Sequence, residues 1–179
     1  MEILTPSPEI LKKYLAKWDS LENYVAQESS LRKLFTQTYP ENKLLDDVLI
    51  KVCSLNDFYS TNIFSPFAVA KHIVALRIDE NLSKKNLDIV NKIAEVKING
   101  AKSINFYFFA TKYYSHHSPK TYPIYDSFVE KMLIHFKKKN GFPSFRRPDL
   151  KTYPQYHHIL SRFRSFYGFN EFDLKQTNR

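Results

Sequence analysis

The chain has 179 residues, enough for one compact domain whose core needs neither disulfides nor a metal. Hydrophobic residues are 43% and charged residues 25%, values that exclude a disordered chain, and only 3 glycines exclude a Walker loop, a dinucleotide-binding fingerprint, a collagen repeat and most turn-rich all-β folds. The net charge is +9 and one-sided: residues 101–179 hold 14 Lys and Arg against 5 Asp and Glu, which leaves 13 of each in residues 1–100.

A one-sided positive field concentrates polyanions and releases counterions on binding, so DNA is the expected partner. The plain alternative is that the charge serves solubility. The single cysteine, Cys53, allows no internal disulfide, and it falls on an apolar stripe as an inert buried thiol. Met1–Asp19 is charged and amphipathic, unlike a signal peptide, and no apolar run approaches the length of a membrane span. These features predict a monomer without membrane contact in the bacterial cytoplasm, associated with the nucleoid if it binds DNA.

Taken in chain order, the periodicity is helical almost throughout. Ser7-Pro8-Glu9 opens a first helix with a cap residue, a first-turn proline and an acid at the positive end of the dipole. Leu21 to Phe35 continues helically and ends before Tyr39-Pro40. Leu44, Leu45, Val48, Leu49, Val52 and Leu55 line one face of a helix over Lys43 to Asp57. Ser65-Pro66 starts another helix, and Ser83 starts one carrying Leu87, Val90 and Ile93. Ile104 to His116 reads as a strongly aromatic helix. Asp126 caps a helix that ends at Gly141 after Lys137, Lys138 and Lys139. Pro154 begins a last long helix, stopped by Gly168. No strand or repeat stands out. The expectation is an all-α single domain of eight to ten helices, with N-terminal helices over 1–42, a core over 43–136 and basic C-terminal helices over 137–179.

Chemistry concentrates between Gly100 and Val129. Gly100-Ala101-Lys102 places a lysine after a lone glycine, and Phe109-Ala110-Thr111-Lys112-Tyr113 follows. Pro119 and then Pro123-Ile124-Tyr125-Asp126-Ser127-Phe128-Val129 lead into the next helix. This arrangement resembles the helix-hairpin-helix DNA glycosylases, the superfamily of the 8-oxoguanine glycosylases, over roughly Lys43 to Phe136. The aspartate segment carries most of the likeness. The hairpin departs from it, since Lys97-Ile98-Asn99-Gly100 has one glycine where the family has two.

The resemblance implies an all-α fold of that type and cleavage of an N-glycosidic bond without a cofactor. Asp126 would stabilise the sugar cation, and Lys102 or Lys112 would supply a Schiff-base amine. Tyr107, Tyr114, Tyr122 and Tyr125 are candidates to stack on an extruded base, with His116, His117 and Ser127 as further DNA contacts. Lys137, Lys138, Lys139, Arg146, Arg147, Arg162 and Arg164 would follow phosphates.

Each residue also has a structural reading. Asp126 can be a simple helix cap, and the lysines solvated or packed along their stems. Phe106, Phe109, Ala110 and Tyr113 share a face and can be core. The alternative to an enzyme is a non-catalytic nucleic-acid-binding module. The adjacent pairs His116-His117 and His157-His158 have no metal-ligand spacing, so no metal is expected.

Overall fold

The computed structural model describes residues 3–98, 103–142 and 144–178. It is mostly helical. The order is α1 (Pro8–Asp19), α2 (Glu22–Lys33), a π-helical turn (Leu34–Thr38), α3 (Leu45–Tyr59), α4 (Pro66–Ala75), α5 (Asp79–Ser83), α6 (Ile89–Ala94), β1 (Glu95–Val96), β2 (Ile104–Asn105), α7 (Tyr107–His117), α8 (Ser127–Asn140), a 3-10 turn (Arg147–Lys151), α9 (Tyr153–Phe166) and α10 (Leu174–Thr177). No helix among the described residues is long and apolar enough to cross a membrane.

The starts follow local chemistry. Ser7 Oγ accepts from the Ile10 amide at 3.3 Å to cap α1, and prolines occupy the first turns of α1, α4 and α9. Gly141 ends α8 at φ +64°, a left-handed conformation that any side chain would strain. Three expectations change. Ser83 closes a short helix instead of opening one, because Lys85 turns to φ +52° and breaks the path before α6. Ile104-Asn105 is not helical: it pairs antiparallel with Glu95-Val96, so α7 starts only at Tyr107. Cys53 is exposed, not buried as its place near the stripe suggested.

One continuous core runs from Leu31 to Leu174. Helix α7 is its axis, with nine of its eleven residues buried. A helix buried on every side needs partners for its polar groups. Tyr113 donates to Asn42 Oδ1 at 2.6 Å, and His117 Nε2 lies 3.2 Å from the same atom. The fully buried Lys51 ammonium also donates to that oxygen at 2.7 Å, and to the Tyr39 and Glu41 carbonyls. Burial lowers the Lys51 pKa to about 8. The Asp79 carboxylate holds the other side of Asn42, accepting from its side-chain amide at 2.6 Å.

Candidate functional site

The site is assembled on α7 and on the segment that returns from it to α8. After α7 the chain turns through Ser118, whose carbonyl accepts from the Tyr122 amide at 2.9 Å. The segment Pro123–Asp126 is then clamped. Tyr153 donates to the Pro123 carbonyl at 2.8 Å, and Tyr156 to the Ile124 carbonyl at 2.6 Å. Thr111 Oγ1 accepts from the Tyr125 amide at 3.1 Å. This last contact ties the residue before Asp126 to the residue before Lys112.

Asp126 caps α8. Its Oδ1 accepts from the Phe128 amide at 2.9 Å and the Val129 amide at 2.8 Å, which fixes the carboxylate while the side chain stays half-buried. It lines a hollow of about 270 Å³ together with Lys112 and His116. Lys112 is only 8% exposed. Among the described residues its ammonium forms no ion pair; it sits 5.2 Å from the centre of the Tyr59 ring and 5.8 Å from that of Phe108. Burial lowers its pKa, and the nearby Asp126 charge opposes that shift.

His116 Nε2 lies 3.1 Å from the Tyr59 hydroxyl. Burial holds His116 at about 4, so the ring is neutral near pH 7, and pushes Tyr59 up to about 12. Trp18, Tyr24, Phe58 and Tyr59 supply aromatic wall, and Glu28 pairs with Lys175 at the edge. A half-buried carboxylate, a desolvated amine and flat aromatic surfaces in one hollow suit a sugar with a planar ring attached.

The hollow brings together Asp126, Lys112 and His116 from the sequence-derived set. Lys102 and Gly100 lie outside the described residues. Tyr107, Tyr114, Tyr122 and Tyr125 are sealed in the core, which corrects the expectation that they stack on a base. Tyr125 instead donates to Glu130, and Tyr122 reaches the Asn86 carbonyl at 3.4 Å. His117 is half-buried, with its Nε2 3.2 Å from Asn42 Oδ1, and does not line the hollow. Ser127 is exposed beside Asp126.

Of the basic set, Lys137 donates to the Phe145 carbonyl, Lys139 to that of Ile3, and Arg147 pairs with Glu130 at 2.5 Å. Arg146 and Arg162 line a separate shallow hollow of about 460 Å³, where Arg146 also meets Asp149 at 3.4 Å. Lys138 is exposed and Arg164 half-buried. Lys137–Lys139 end α8 while Asp126 begins it, roughly 17–20 Å apart along the axis. The aromatic wall was missed in the sequence because Trp18, Tyr24, Phe58 and Tyr59 lie more than fifty residues before Lys112 and carry no spacing relation to it. Among the described residues no group of His, Cys, Asp and Glu is arranged to hold a metal.

A family model described as the HI_0787_N N-terminal domain matches residues 10–121, more than half of the chain. The chain belongs to the HI_0787_N family. The span shared with that family carries Trp18, Tyr24, Tyr59, Lys112 and His116 and stops short of Asp126. An uncharacterized protein of Haemophilus influenzae is similar: it is 42% identical over 135 residues, which are 75% of this HI_0787_N chain and 66% of the relative. The chain thus spans just under two thirds of the length of that relative. No solved structure matches.

Proposed function

We propose that the chain excises a base from DNA, in a fold of the helix-hairpin-helix glycosylase type. One observation carries the reading: Asp126 and Lys112, fourteen positions apart in the sequence, line the same hollow. As the C1′–N bond breaks, its electron pair leaves with the base, which takes a proton. Positive charge builds on the sugar, and the fixed Asp126 carboxylate stabilises it as it develops. The Lys112 amine, after losing its proton, forms the new bond to C1′. Loss of a second proton from nitrogen and opening of the sugar ring give a Schiff base. Burial of Lys112 favours the neutral, nucleophilic amine. His116 stays neutral and adds no positive charge beside it.

The competing reading is a binding module. It is favoured by the placement of Lys137–Lys139 at the opposite end of α8 from the hollow. Borohydride trapping on a panel of damaged duplexes separates the two. Excision with a covalent adduct that vanishes in Lys112→Met supports the enzyme. Excision without an adduct restricts Asp126 to positioning water. Affinity for DNA with no excision from any lesion supports the module.

A further inference from the structure

One exposed aromatic ring lies beside Lys112 and another belongs to the residue whose amide Asp126 holds, and each carries a cation. Phe108 is 41% exposed and stacks on the buried Tyr125 ring, with centres 5.6 Å apart and planes 10° apart. Lys151 Nζ lies 5.1 Å from its centre and Lys112 Nζ 5.8 Å. Phe128, whose amide donates to Asp126, is 73% exposed, and Lys131 Nζ lies 5.7 Å from its ring centre. Exposing two large rings costs apolar burial that neither recovers within the chain. Both are rigidly based, Phe108 on Tyr125 and Phe128 at the capped start of α8.

We infer that Phe108 and Phe128 form a stacking platform for unpaired nucleotides of a DNA strand, next to Lys112 and Asp126 of the hollow. The inference rests on reading that hollow as a nucleotide site. Charge complementarity identifies the occupant. Lys131, Lys151 and Arg147 outnumber Asp126 and Glu130 around the rings, and Glu130 is already engaged by Lys151 and Arg147. The local excess is cationic, as a phosphate backbone requires. Aromatic rings beside cations bind single strands because every unpaired base has an open face, whereas bases inside a duplex already stack on one another.

The test uses the full chain and a fluorescently labelled oligothymidylate carrying one 2-aminopurine, alone and annealed to its complement. The strand is expected to bind more tightly than the duplex, with 2-aminopurine quenched. Phe108→Ala and Phe128→Ala should each weaken strand binding roughly 5- to 150-fold, with duplex affinity changed less than about twofold. Phe64→Ala is the control, since Phe64 is 90% exposed and no described cation lies over its ring. Circular dichroism and thermal melting establish that the variants fold. A wild-type chain that prefers duplex, or binds neither form, overturns the platform. So do variants that bind the strand as well as wild type. Excision is scored separately: excision with unchanged affinities in both phenylalanine variants sinks the platform alone, and ring-dependent affinity without excision sinks the enzyme alone.

Discussion

The Thr111 hydroxyl accepts a hydrogen bond from the Tyr125 amide at 3.1 Å, inside the core. Thr111 precedes Lys112 on α7 and Tyr125 precedes Asp126, so this one contact sets the register between amine and carboxylate. Thr111→Val keeps the shape and removes the acceptor, leaving a buried amide unpaired. The expected cost is about 1–3 kcal/mol of stability. Excision should drop by roughly tenfold to a hundredfold through kcat, because misplacement by about 1 Å has that effect. Thr111→Ser should restore most of both. Strand affinity, measured by anisotropy, should stay put; a loss of affinity equal to the loss of kcat would show that Thr111 does no positioning.

Acid should weaken the fold in two separate windows. His116 sits at about 4, because burial disfavours its imidazolium, and burial takes His117 well below the usual histidine range. His157 is lowered for the same reason. Above pH 6.5 these rings are neutral folded and unfolded, so they add no pH dependence. Between 6.5 and 4 the unfolded chain takes up protons that the folded chain refuses, and stability falls as pH falls. The His116 ring contributes up to about 1.4 kcal/mol per pH unit there, and His117 and His157 act in the same direction. His116→Gln, followed by urea midpoints from pH 7 to 4.5, should flatten that slope by about one proton. Should the variant not fold, an NMR titration of the wild-type rings serves: a His116 ring titrating near 6.5 contradicts the account.

Glu130 governs the second window. Burial would raise its carboxyl, but hydrogen bonds from Lys151, Tyr125 and Arg147 outweigh that and hold it at about 2. Its folded value is depressed, so its contribution is complete above pH 4.5 and is lost as pH falls from there toward 2. Glu130→Gln should cost about 1–3 kcal/mol at pH 7 and remove that part of the acid limb. Arg147→Ala should cost less than about 1 kcal/mol, since the arginine side chain is 74% exposed and its ion pair is screened. A larger loss from Arg147→Ala than from Glu130→Gln would mean that Glu130 is not the hub.

The parts of the site that local chemistry encodes were legible in the sequence. Asp126 reads as a cap because an extended aspartate before an apolar helix satisfies the free amides of its first turn. Lys112 could be named because it lies with Asp126 in the stretch from Gly100 to Val129. The tyrosines misled for a physical reason. A central helix is normally recognised by being apolar all round, yet α7 is built largely from Tyr, Thr, Lys, Ser and His, and Thr111, Tyr113 and His116 find their polar partners inside the fold. Its periodicity therefore suggests a polar exposed face, whereas its tyrosines are buried and its most exposed ring is Phe108. The wall from Trp18 to Tyr59 depends on α1 packing against α2, and on α2 and α3 packing against α7, and no local pattern encodes that. The basic tail was visible as charge, but the loss of Arg147 to Glu130 and of Lys137 to Phe145 depends on turns formed around Pro148.

Asp126→Asn is the substitution that separates structure from chemistry. Asparagine caps a helix as well as aspartate does, and its side-chain oxygen can accept from the same Phe128 and Val129 amides. Stability should therefore move by less than about 0.5 kcal/mol. Asp126→Ala removes the cap and should cost about 1 kcal/mol. Both variants lack the negative charge that the proposed reaction sets against the sugar cation, so on that proposal both should lose two to three orders of magnitude in excision rate, as removal of one preorganised electrostatic group does. Strand affinity should be kept or slightly improved, because an anion beside a phosphate backbone has been removed. The informative measurement is the pairing of melting temperature with single-turnover rate across the two variants. Asp126→Asn that melts like wild type and no longer excises places the carboxylate in the reaction. If rate instead follows stability, with Asp126→Asn active and only Asp126→Ala impaired, Asp126 is a cap and nothing more.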